Sequence, residues 1–319
     1  MNIALRTSTQ SLSAGWRLAQ GLGLVVTGML VVGLFTSPAL ALGILWNVLI
    51  PILPATFLLS PLIWRALCPL ATLNMLPNGL AASRVMPAHL QRMLGATGIV
   101  LLLVLVPARR FLFNEHGDAL GIVILVVGLV ALLLGAFYQQ KAGFCNTFCP
   151  VLPVEKLYGQ HPLIAMKDTR CASCVRCVPK GCLDVAPRKA LQQAIGAHGR
   201  ATRWIASPYG VFAGAFPGFV LGYFLTENGP IGAAPAVYFD VLGAAAASYV
   251  VTAAIYGMFK VSASRMLTGL AAAAAGIYYW YAAPATAAFL SLPVEAGVGL
   301  RVALLGLVAY WTWRAFTRR

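Results

Sequence analysis

Eight long apolar runs, separated by short polar turns, account for most of the chain. The first, 18–35, follows Arg17 and is about 20 residues long, enough to cross a bilayer as a helix. It has no small-residue cleavage pattern behind it and is read as a retained helix. Ser37-Pro38 marks the turn into a second run, 40–64, which carries Pro51 and Pro54. Neighbouring helices accommodate such prolines at the cost of a kink. This run delivers Arg65 and Cys68-Pro69 to the membrane surface. A third run, 93–106, is short but can extend through Pro107 towards Phe113, and a fourth covers 119–137. Four more follow at 209–225, 237–259, 266–281 and 297–313, rich in Ala and Gly, which lets helix backbones approach closely. Aromatic residues collect at span ends, as at Tyr278 to Tyr281 and at Tyr310, Trp311 and Trp313, where an interfacial belt is the simplest reading.

The pattern predicts an all-α membrane protein of about eight transmembrane helices. Composition agrees, since 60% of the residues are hydrophobic and only 10% are charged, against about 25% in soluble domains. One sizeable polar segment, 139–206, interrupts the apolar runs. The expected organisation is a four-helix membrane half over 1–138, a small ferredoxin-type insert over 139–206, and a second four-helix half over 207–319.

The formal charge of +15 changes the picture through its distribution. Counted over alternate loops, 20 of the 23 Lys/Arg fall on one side, leaving Arg109, Arg110 and Arg301 on the other. By the positive-inside rule the cysteine-bearing side is cytoplasmic, together with both termini. A bacterial inner-membrane location follows as the expectation. The basic excess is thereby accounted for, and no nucleic-acid partner is implied.

The strongest chemical signal is Cys171-Ala-Ser-Cys174-Val-Arg-Cys177-Val-Pro-Lys-Gly-Cys182. Three cysteines at two-residue gaps followed by a fourth is the spacing of a loop that wraps a [4Fe–4S] cubane. The usual run ends C-x3-C-P; here the last gap is four residues, and Leu183 stands where proline would be. Zinc also takes four thiolates, but generally from two separated pairs, so the spacing favours iron–sulfur. Cys171, Cys174, Cys177 and Cys182 are the predicted ligands.

Three further cysteines lie at span ends. Cys68-Pro69 and Cys149-Pro150 are separated by 81 residues, and each leads into a short amphipathic stretch. Cys145 completes a C-x3-C-P at the second position, where the first has Trp64.

On these residues the chain resembles a known family. Phe144-Cys145-Asn-Thr-Phe-Cys149-Pro150, Cys68-Pro69, the loop 171–182 and the segment 155–159 are similar to the NapH-like and NosR-like integral membrane iron–sulfur proteins. These are the quinol-dehydrogenase subunit that accompanies periplasmic nitrate reductase, and the nitrous-oxide-reduction regulator. The resemblance covers residues 40–190. It implies electron transfer involving the quinone pool, with a quinone and other subunits of a membrane redox complex as candidate partners.

Seven thiols allow two partitions. In one, Cys171, Cys174, Cys177 and Cys182 close a single cluster, which costs least loop entropy. In the other, Cys149 completes the set of Cys171, Cys174 and Cys177, leaving Cys68, Cys145 and Cys182 for a second centre, as when ferredoxin runs exchange ligands. If Cys68, Cys145 and Cys149 converge beneath a locally closed loop, His161 is the nearby candidate for a fourth ligand. The plain alternative is that these three are inert thiols packed at helix ends.

None of His89, His116, His161 and His198 falls inside a span, and C-x-x-C-H is absent, so neither b nor c haem is expected. Asp240, near the outer end of the sixth run, is the nearest thing to an intramembrane charge. The function expected is one-electron transfer between the quinone pool, or a membrane partner, and a redox partner, without independent catalysis. An assembly subunit of a larger complex and a metal or thiol maturation factor are the alternatives.

Overall fold

The computed structural model describes residues 14–79, 84, 86–138, 141, 143–164, 183, 187–196, 201–259 and 261–317. Among them there are helices and turns and no strand beyond an isolated bridge between Arg84 and Tyr138. Helix α1 is Ala14–Thr36, and Ser37 turns the chain into α2, Pro38–Ile44. A π-helical turn, Leu45–Leu49, joins α2 to α3, Ile50–Leu59, directly ahead of Pro51 and Pro54. Widening the helix at this point accommodates two rings that remove backbone donors.

Two short helices follow, α4, Pro61–Leu67, and α5, Pro69–Met75. Next come α6, Ala88–Ala108, with its π-helical extension Arg109–Phe113, and α7, Gly117–Phe137. A π-helical turn, Phe144–Phe148, leads through Cys149-Pro150 into α8, Leu152–Tyr158. Helix α9 is Pro187–Gly196. The remaining helices are α10, Pro208–Leu225, α11, Ala234–Phe259, α12, Ala263–Phe289, and α13, Val294–Thr317.

Proline at the first helical position opens α2, α4, α5 and α10, where its missing N–H is one of the unsatisfied donors anyway. At α10 the Ser207 hydroxyl also accepts from the Gly210 N–H at 3.0 Å, a side-chain cap.

Seven of these segments are long and apolar enough to cross a membrane, among them Pro38–Leu59, His89–Phe113 and Gly117–Phe137. The architecture is that of a multi-pass helical membrane protein. The third run does extend to Phe113, as its flanking residues allow. The second is shorter than its hydropathy implies. Ser60 is extended (φ −166°, ψ 119°) because Pro61 disfavours a helical residue before it, so the spanning helix ends at Leu59 rather than Trp64. The run 266–281 lies within the longer α12, an Ala-rich helix whose buried Leu267, Ala271, Ala274, Ala275 and Tyr279 form a helical stripe.

The largest core threads the molecule. Phe57 and Leu58 of α3, Leu102 of α6, Leu157 and Tyr158 of α8 and Trp204 join the inward faces of α10 to α13 in one apolar cluster. Helices α10 and α11 touch along small residues. A Cβ added at Gly218 would lie 2.2 Å from the Ala244 carbonyl oxygen, an approach only glycine permits.

Candidate functional site

The two Cys-Pro turns are built alike. Cys68 has φ −57° and ψ 123°, and Cys149 has φ −59° and ψ 121°. Each is followed by proline and a helix of seven residues, α5 or α8. The Cys68 N–H donates to the Trp64 carbonyl at 2.7 Å. The Cys149 N–H reaches one residue further back, to Phe144 at 3.1 Å, because its helix ends in a π-turn.

The structure brings the two turns together. Cys68, Cys145 and Cys149 share an apolar cluster with Ala71, Ala131, Phe144 and the partly buried Trp64 and Phe148. Burial pushes the Cys68 thiol up to about 11 and the Cys145 thiol up to about 12. Cys149 is raised too, by burial first and then by Glu155 and its neighbouring thiols. As placed, these are neutral thiols behaving as small apolar groups. Among the described residues no group of three or more His, Cys, Asp or Glu is arranged to hold a metal ion. The three thiols share this cluster, and Cys182, the further member of the exchanged partition, lies outside the described residues.

What joins the turns is an arginine. Arg65, in the last turn of α4, has its side chain 3% exposed and pairs with Glu155 of α8, also 3% exposed, at 2.8 Å. The same guanidinium donates to Asn146 Oδ1 at 2.6 Å and to the Cys145 carbonyl at 3.5 Å. Two charges removed from water persist only with close pairing and further hydrogen bonds, and this arrangement supplies both. Arg65 and Asn146 occupy equivalent places in the 81-residue offset, as do the buried Asn74 and Glu155. Lys156, beside the pair, is pushed down to about 8 by burial and then by Arg65.

The Arg65–Glu155 pair is not among the sites expected from sequence. A signal was present, because Glu155 is one of only eight acidic residues and sits in the apolar stretch after Cys149-Pro150. The offset of 81 brings it opposite Asn74.

Cys171, Cys174, Cys177 and Cys182 lie outside the described residues. The chain flanking that loop is described. On the near side, the Leu163 and Ile164 N–H groups donate to the carbonyls of Leu58 and Leu59 at 3.0 and 2.8 Å. On the far side, Leu183, the residue after Cys182, is 1% exposed in a cluster with Leu152 and Ala190, against which Cys149 packs. Both flanks are thus fixed at the end of the molecule that carries the paired turns.

His161, which its place in the chain makes the candidate fourth ligand, is engaged elsewhere. Its Nδ1 accepts from Arg188 Nε at 3.1 Å, and its ring lies 6.4 Å from that of Trp311, edge to face. It follows α8 in the chain and is held between Arg188 of α9 and Trp311 of α13. Asp240 is exposed near the start of α11.

A cavity of about 410 Å³ lies between α3, α6, α8, α10 and α12. At one end stand Trp46, Arg109, Arg110 and Tyr223; at the other, Val151, Val154 and Tyr158. Between them the wall is apolar and aromatic, including Phe57, Phe216 and Phe219. Arg109 donates to the Tyr223 hydroxyl at 2.5 Å and lies 4.7 Å from the Trp46 ring centroid. Arg110 binds the Tyr223 carbonyl through Nε and Nη2 at 3.0 and 2.7 Å. The arginines are therefore held by α10 and a ring face, which keeps them at the cavity's rim. No motif marks this cavity in the sequence, since it is made of residues from five separated helices. Compared with known proteins, the chain matches no family model, no curated protein and no solved structure.

Proposed function

We propose that the chain is a bacterial inner-membrane electron-transfer protein of the NapH-like and NosR-like kind, exchanging electrons between a membrane quinone and a redox partner. In this reading the cysteine-bearing end and both termini face the cytoplasm. The four thiols of residues 171–182 have the donor chemistry and spacing for a [4Fe–4S] cluster, which when bound supplies one-electron chemistry.

One observation carries the reading. The apolar cavity ends on Val151 and Val154, the residues that follow Cys149-Pro150, and Leu183 is seated on the same helix turn. A hydrophobic ligand in the cavity would therefore lie beneath the flank of the thiol-bearing loop. Its volume and aromatic wall suit a quinone ring with part of an isoprenoid chain. Tyr158 is kept protonated by burial and offers a phenol O–H at that end. The buried, raised thiols of Cys68 and Cys145 are poorly suited to thiol exchange, which disfavours a maturation factor.

The test fills the cavity. Ala285→Trp places an indole among the lining residues. Quinol is expected to bleach the iron–sulfur absorbance of the parent protein and to fail with the variant, while dithionite bleaches both. Equal quinol reduction of parent and variant would remove the cavity from the reaction.

A further inference from the structure

At the end of the molecule carrying the Cys-Pro turns, a second cavity of about 470 Å³ opens between α9, α12 and α13. It differs in kind from the first. Arg188 and Arg265 enter from separate helices, with His161, Gln192, Ser262 and Ser264 beside them. Among the described lining residues there is no carboxylate. The apolar part of the lining is a strip of Leu191, Ile195, Leu267, Ala315 and Phe316.

The floor is satisfied without a ligand. The Thr268 hydroxyl donates to the Ser264 carbonyl at 2.9 Å and lies 3.3 Å from Gln160 Oε1, and Gln160 Nε2 donates to the Leu157 carbonyl at 2.7 Å. Arg188 Nε donates to His161 Nδ1, which leaves Nε2–H as the donor of that imidazole. Burial and then Arg188 push His161 down to about 4, so it contributes a donor and no charge at neutral pH. The lining thus carries the cations Arg265 and Arg188, the latter already engaged with His161, together with hydroxyls and an imidazole N–H.

We propose that this cavity binds a phosphate-bearing anion, presented by a lipid headgroup or free in solution. Guanidinium groups match phosphate oxygens in charge and fork geometry. The first turn of α12, a helix of 27 residues, contributes Ser262, Ser264 and Arg265 to the lining, and its aligned peptide dipoles favour an anion there. The cavity lies where α12 begins and α13 ends, the level at which helices of spanning length meet headgroups, and the strip with Phe316 suits an acyl chain. The inference is independent of the electron-transfer reading.

The experiment uses the full chain in a non-ionic detergent and phosphate-free buffer, at low salt. Binding of dioctanoyl phosphatidylglycerol and of inorganic phosphate is measured by native mass spectrometry and by thermal shift. The double variant R188Q/R265Q is expected to bind about thirtyfold more weakly, the effect of losing two basic contacts at a headgroup. R92Q, which removes an exposed charge from α6, is the control and is expected to bind as the parent does. If the double variant aggregates, R265Q alone is read, with an expected loss of about fivefold. Binding of phosphatidylglycerol without phosphate assigns the site to lipid. Binding of phosphate that phosphatidylglycerol does not displace assigns it to a free anion. Failure of both to bind the parent, or undiminished binding by the arginine variants, overturns the proposal.

Discussion

Arg65 Nη2 donates to Asn146 Oδ1 at 2.6 Å, joining two residues that each stand three places before a Cys-Pro pair. The contact spans the two Cys-Pro turns and ties α4 to the turn that precedes α8. The same guanidinium reaches Glu155, so one side chain fixes both short helices on which the cysteine turns depend. The flanks of the thiol-bearing loop rest on this framework, at Leu58–Leu59 and at Leu152.

Breaking the Arg65–Glu155 pair leaves a buried charge uncompensated. Glu155→Leu is expected to destabilise the protein by about 3–5 kcal/mol, and Arg65→Met by a similar amount. The double variant is expected to recover much of the loss, because both charges are then gone. Thermal unfolding of the four proteins in detergent checks this. Additive losses in the double variant would contradict it.

Much of this framework follows from the residues in order, and some does not. Helix ends at Ser37-Pro38, Cys68-Pro69 and Ser207-Pro208 are readable because proline sets the backbone locally. The break at Ser60-Pro61 carries the same signal, but the apolar run continues through it to Trp64 and hides it. The matching of Cys68 with Cys149 is visible in their spacing. Their convergence with Cys145, the bridging role of Arg65 and both cavities depend on contacts between distant segments, to which periodicity is blind. Pro284 lies inside α12 without ending it, as prolines in membrane helices can.

Gly135 sets how close α7 comes to α5. A Cβ there would lie 1.9 Å from the Asn74 carbonyl oxygen, a backbone atom that cannot rotate away. Gly135→Ala is expected to cost about 1–3 kcal/mol through forced separation of the helices. It is also expected to expose Cys68 to alkylation in the folded state. Cys68 and Cys145 of the parent, buried and raised to about 11 and 12, are expected to resist iodoacetamide at pH 8 until the protein is denatured. Peptide mass spectrometry reads both outcomes, and rapid labelling of the parent at these two sites would refute the packing described.

His161 gives a pH dependence of definite sign. Its folded value of about 4 lies below the ordinary 6.5, so the unfolded chain binds more protons between those values. The stability it contributes is present above pH 6.5 and is lost as pH falls towards 4. His161→Gln is expected to flatten that part of the stability curve in phosphate-free buffer. An unchanged slope between pH 6.5 and 4 would mean that His161 is not held neutral by burial and Arg188.

The inferred orientation rests on 20 of 23 basic residues lying on one side of the apolar runs. Alkaline phosphatase inserted at Gly229, in the turn between α10 and α11, is expected to be active in a bacterial host. A fluorescent protein fused after Arg319 is expected to fold and fluoresce. The reverse pattern would invert the topology.

The most direct measurement is electron paramagnetic resonance of anaerobically purified protein reduced by a quinol, with iron counted on the same sample. About four irons per chain and one reduced-cluster spin are expected, both lost in Cys174→Ala. Bound zinc without iron, or a signal that persists in Cys174→Ala, would contradict the cluster assignment.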